Sequence, residues 1–192
     1  MTATRALQGL VLLLAFATRA LAAQDSRLVQ RFGEPVASRL AATIDSAEHE
    51  GLPTEPLVLR ALEGQAKGAS TDQIVGALGR LRNALRTARV TLGPDAEPVE
   101  LTTAAAALQA GVPESRLAEL HQLRGGMSVS APLGAYLDLI ARGASADRAW
   151  NRISDLARRK ASDAQFVHLS PTDLTRDAPP PGTRPPESEG PP

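Results

Sequence analysis

The chain has 192 residues with 21 basic and 21 acidic side chains, so no net field draws it to nucleic acid. It has no cysteine, which excludes disulfide staples, thiolate nucleophiles and Cys-based metal centres. Aromatic residues make up only 3%. With Ala, Leu and Arg dominant, that composition favours helices approaching through small-residue faces and argues against a β-sandwich.

The first segment reads as an export signal. Arg5 gives a positive start, residues 7–17 an apolar middle, and Ala20-Leu21-Ala22 a small-residue exit. Only 13 uncharged residues separate Arg5 from Arg19, too few for the roughly 20 that a membrane-spanning helix needs. Residues 1–22 are therefore expected to be removed, by cleavage after Ala22 or Ala23, leaving no stable transmembrane span. The competing reading is an uncleaved anchor running through Arg19. No Cys follows the apolar stretch, so a lipid-modified N-terminus is not expected. Loss of Arg5 and Arg19 leaves 19 basic against 21 acidic residues, and the Ala, Arg, Pro and Gly bias suits a GC-rich bacterium.

Beyond a short leading turn at 26–32, the pattern predicts helices over 36–49, 54–67, 71–91, 98–110, 114–124, 131–142 and 146–162. Their junctions repeat one chemistry at Gly51-Leu52-Pro53, Gly68-Ala69-Ser70, Gly111-Val112-Pro113 and Gly143-Ala144-Ser145. In each, Gly closes one helix in the left-handed conformation and an apolar residue follows. Ser, Thr or Pro with a nearby acid then opens the next helix. Ser70 and Gln73 have capping-box spacing. Six positions after each Gly stands Leu57, Ile74, Leu117 or Ala149, expected to be the first buried residue of its helix.

In the third helix Ile74, Leu78, Leu81, Leu85 and Ala88 form one narrow apolar stripe; in the last, Ala149, Trp150, Ile153, Leu156 and Ala157 do the same. Short joints predict three antiparallel hairpins, over 54–91, 98–124 and 131–162, stacked as a degenerate helical repeat or a small bundle. The expected fold class is therefore all-α, with a single helical domain over 23–169. From Ser170 onward few apolar residues remain, and eight prolines fall within 171–192. A disordered, Pro-rich tail is expected over 170–192.

Candidate chemistry is sparse. Asp45, Glu48 and His49 share a helix face and offer two oxygens and a nitrogen, but a lone cluster at a helix end reads as solvated surface. His121 reads as a partly buried helix residue and Trp150 as packing. No Gly-x-Ser-x-Gly elbow, phosphate loop or His-Glu-x-x-His helix occurs, and neither a cofactor nor a metal is expected.

The most suggestive surface is Arg82, Arg86 and Arg89, a positive strip beside the stripe of the third helix. No acid lies between Asp72 and Asp95 to balance it. Arg158-Arg159-Lys160 at the end of the last helix needs no partner, since cations favour that terminus. The expected role is an exported, non-enzymatic interaction or structural protein of the bacterial cell envelope, in the periplasm or outside the cell. Its partner would be an envelope protein or an anionic surface. The alternatives are a glycan-acting enzyme with unrecognised carboxylates, or a peripheral binder of anionic lipid or polymer using the arginine strip.

Overall fold

The repeated joints are where the chain's local chemistry is most plainly realised. A computed structural model describes residues 26–174. The export signal expected over 1–22, its cleavage site after Ala22 or Ala23, and most of the Pro-rich tail lie outside the described residues. Those described are helical throughout, with no strand among them. After helical residues 26–32 come α1 Glu34–His49, α2 Glu55–Ala66, α3 Thr71–Leu92, α4 Pro98–Gln109, α5 Glu114–Arg124, α6 Ser130–Ala141, α7 Ala146–Arg158 and α8 Asp163–Val167. A 3-10 turn, Pro171–Leu174, follows, so regular structure continues past Ser170.

At each predicted joint the two signature hydrogen bonds of a left-handed helix closure are formed. Gly51 donates to Glu48 O and Leu52 to Ala47 O; Gly111 donates to Leu108 O and Val112 to Ala107 O; Gly68 and Gly143 do likewise with their following alanines. The glycines have φ between 67° and 95°, a conformation that costs residues with a Cβ about 1–2 kcal/mol. Leu57, Ile74, Leu117 and Ala149 are all buried, as the spacing predicts.

A fifth joint of the same kind divides the helix expected over 146–162. Lys160 takes φ 56°, donates its amide to Ala157 O, and is followed by Ala161, which donates to Leu156 O. Six positions on stands Phe166, fully buried. Ser162 opens α8 through its amide, which donates to Gln165 Oε1 at 2.9 Å, matching the box that Ser70 and Gln73 form at α3.

The chain divides into two compact units, the first ending at His121 and the second starting at Gln122. In unit 1, α3 is the central element and packs against α1, α2 and α4. Its stripe Ile74, Leu78, Leu81, Leu85 and Ala88 is wholly buried, and each buried Leu contributes about 1.5–3 kcal/mol relative to exposure. A Cβ on Gly64 would stand 2.8 Å from Ile74 Cγ1, so glycine permits the close approach of α2 to α3. In unit 2, α6 packs on α7 and α8. Trp150 is 4% exposed and meets Tyr136 edge-on, with centroids 5.7 Å apart, the favoured geometry for two aromatic quadrupoles. Trp150 is therefore core. No helix among the described residues is long and apolar enough to cross a membrane.

Candidate binding groove

The structure gathers the three arginines of the predicted strip and gives them partners within the protein. Glu50, at the end of α1, accepts a hydrogen bond from Arg86 Nε at 3.0 Å and lies 3.9 Å from Arg82 Nε. Arg86 also donates to Asn83 Oδ1. Arg89 donates to Pro94 O, Ala96 O and Gly51 O. The strip thus clasps the end of α1 and the loop after α3. Its balancing acid comes from 36 positions earlier in the chain, outside the stretch between Asp72 and Asp95 in which sequence reading finds none.

The other sequence candidates do not converge. Asp45, Glu48 and His49 are exposed. Among the described residues no three His, Asp or Glu side chains are grouped as metal ligands. His121 is half-buried and His168 exposed. A hollow of about 350 Å³ in unit 2 is bordered by Arg152, Gln165, His168 and Asp173 over Leu156 and Leu169. Its carboxylate, Asp173, accepts from both the amide and the hydroxyl of Ser170 at 2.9 Å, which fixes the 3-10 turn.

Sequence reading passes over Arg124 as an ordinary helix end. It is 2% exposed and donates to Ser128 O at 3.1 Å, Ala161 O at 2.9 Å and Asp163 Oδ1. Its guanidinium also lies 5.4 Å from the centre of the Phe166 ring, within cation–π range. Little local signals this role, because two of its three partners are 37 and 39 positions away.

Two adjoining hollows lie in unit 1. A hollow of about 340 Å³ is walled by Pro56 and Leu59 of α2 and by Thr102 and Ala106 of α4, over Leu81 of α3. A second, of about 160 Å³, continues between α2 and α3 past Gly64, Lys67, Ile74 and Ala77; Arg60 and Glu63 border both. Leu59 is 54% and Val99 61% exposed. Val99, Thr102, Ala106 and Gln109 step by 3, 4 and 3, so they form one stripe on α4.

That stripe follows from the composition of α4. The helix buries Leu101, Ala104, Ala105 and Ala107, and Glu100 is its only charged residue. Thr102 donates its hydroxyl to Pro98 O and Thr103 to Val99 O, which satisfies both polar groups within the helix. A helix with apolar character all round suits burial on more than one side. Glu63, the carboxylate at this groove, is bonded by Lys67 at 2.5 Å and lies 3.6 Å from Arg60. Its hydrogen bond and attraction to Lys67, with help from Arg60, hold its pKa below the usual glutamate value. A general acid for glycan cleavage needs the opposite shift.

No family model, curated protein or solved structure matches this chain significantly.

Proposed function

We propose that the protein is an exported, non-enzymatic interaction module of the bacterial cell envelope, built from stacked helical hairpins, that engages a partner through the groove of unit 1. The observation that carries this reading is the exposed apolar Leu59 on the wall of a concave surface floored by Leu81. Exposed apolar side chains beside a hollow are a usual mark of a recognition site. Export rests on the three-part segment over 1–22, and the Pro-rich sequence after Ser170 serves as a spacer or docking segment. The arginine strip also serves a structural role, because Glu50 and backbone carbonyls engage it.

Two measurements test the proposal. Mass spectrometry of the protein recovered from bacteria carrying the full chain is expected to show a mature N-terminus at Ala23 or Gln24. A photo-crosslinking residue at Leu59 is expected to give a discrete adduct in the envelope fraction, whereas one at the exposed Arg80 is not. Equal labelling from both positions would remove the groove from consideration. A mature chain still starting at Met1 would replace the exported protein with an anchored or retained one.

A further inference from the structure

The groove of unit 1 has a direction, a length and a charge pattern, and together they define what fits it. Along α2 the bordering residues run from Pro56 to Lys67, eleven steps of 1.5 Å or roughly 16 Å, the length of three helical turns. The floor and walls within that length are apolar at Pro56, Leu59, Leu81 and Ala106. A helix laid along such a trough contacts it through apolar residues at i, i+3 or i+4, and i+7.

The α2 edge then selects charge. Arg60, Glu63 and Lys67 follow one another at helical spacing, and Glu63 is shared between Arg60 and Lys67. Two cations against one anion leave this edge positive, and Lys67 remains 72% exposed. The other bordering polar residues, Gln73, Thr102 and Gln109, are uncharged. An incoming acidic group therefore finds cations and no competing carboxylate beyond Glu63. A second copy presenting this same α2 edge would set cations against cations, which disfavours self-association through it.

We propose that the trough over α2, α3 and α4 receives a three-turn amphipathic helix of a partner protein whose acidic residues flank its apolar stripe. This deepens the interaction-module reading and rests on it.

The test uses the purified chain from residue 23 to 192 and two fluorescent, end-blocked helical peptides sharing one leucine stripe. In one the flanking positions are Glu; in the other they are Lys. Fluorescence anisotropy at low salt is expected to show the Glu peptide binding at least ten-fold more tightly, with the gap shrinking as salt rises. Leu59→Glu changes an exposed residue, so the fold should persist by circular dichroism while affinity for the Glu peptide falls at least ten-fold. Lys67→Glu is expected to narrow or invert the preference between the two peptides. Equal binding of both peptides, or binding indifferent to Leu59→Glu, overturns the proposal. So does a dimer, seen by light scattering, that Leu59→Glu dissociates, because a second copy would then occupy the trough. If the peptides fail while the Leu59 crosslink in the envelope persists, the interaction reading stands and the acidic helix is wrong. If the crosslink also fails, both fall.

Discussion

Arg86 in unit 1 and Arg124 in unit 2 both hold oxygen atoms from distant parts of their own unit, yet their surroundings differ sharply. Arg86 is half exposed and shares Glu50 with Arg82, so water screens the attraction and competes for the same atoms. Arg124 is closed off and forks to two backbone carbonyls and a carboxylate. Those carbonyls close the turn after α5 and the joint after α7. The arginine cluster that stands out in sequence clasps Glu50 and loop carbonyls at the surface, and one arginine that looks ordinary is the polar centre of a core.

Breaking each side of the comparison should have unequal effects. Arg124→Ala leaves Ser128 O and Ala161 O without their donor and opens a void beside Phe166, which is expected to cost unit 2 about 3 kcal/mol. Trp150 is the only tryptophan and lies in unit 2, so its fluorescence during urea unfolding reports that unit. The midpoint should fall at unchanged slope. A loss under about 1 kcal/mol would mean that water replaces the guanidinium readily. Arg124→Lys should fall between, since an ammonium keeps the charge but lacks the planar fork.

The fifth joint supplies the next effect. Lys160 accepts a left-handed backbone conformation and also donates from Nζ to Leu123 O at 2.6 Å. Lys160→Ala loses the bond and keeps the strain, whereas Lys160→Gly loses both. The glycine variant should therefore be the more stable of the two by about 1 kcal/mol. Equal stability by the same fluorescence measurement would separate this joint from the four glycine joints.

Those four were legible because glycine announces them, and their helices begin and end within a few residues of the sequence expectation. The closure at Lys160 was not legible, because lysine carries no conformational signature; only the Ser162–Gln165 spacing hints at it. The apolar stripe of α3 was readable from its period alone, as was the packing role of Trp150. The groove was hidden for a different reason. Its members come from three helices, and Leu59, Thr102 and Ala106 look like filler on each. What is visible is that α4 carries a single charge, Glu100, a signal that α4 has apolar neighbours on more than one side. The division at His121 leaves no mark either, since it falls within the helical pattern of 114–124.

On the exposed side of the comparison, Glu50→Gln should remove the charge that Arg82 and Arg86 share while keeping an acceptor. The expected loss is about 0.5 kcal/mol, read by far-ultraviolet circular dichroism at low salt and nearly absent in 1 M salt. A loss rivalling that of Arg124→Ala would show that the clasp is as central to unit 1 as the buried fork is to unit 2.

The smallest effect concerns Glu63, where solvent exposure limits the energy but the sign is definite. Its folded-state pKa is depressed by Lys67 and Arg60. The stabilisation is therefore fully present above the ordinary value of 4.5 and is lost as pH falls through the lower folded value. Carbon-detected NMR titration should place the Glu63 midpoint below 4.5, and Lys67→Met should return it most of the way, since Lys67 exerts the largest influence. A midpoint unmoved by Lys67→Met would assign the depression to Arg60. The α2 edge of the groove would then owe its charge pattern to a different pair from the one the hydrogen bond indicates.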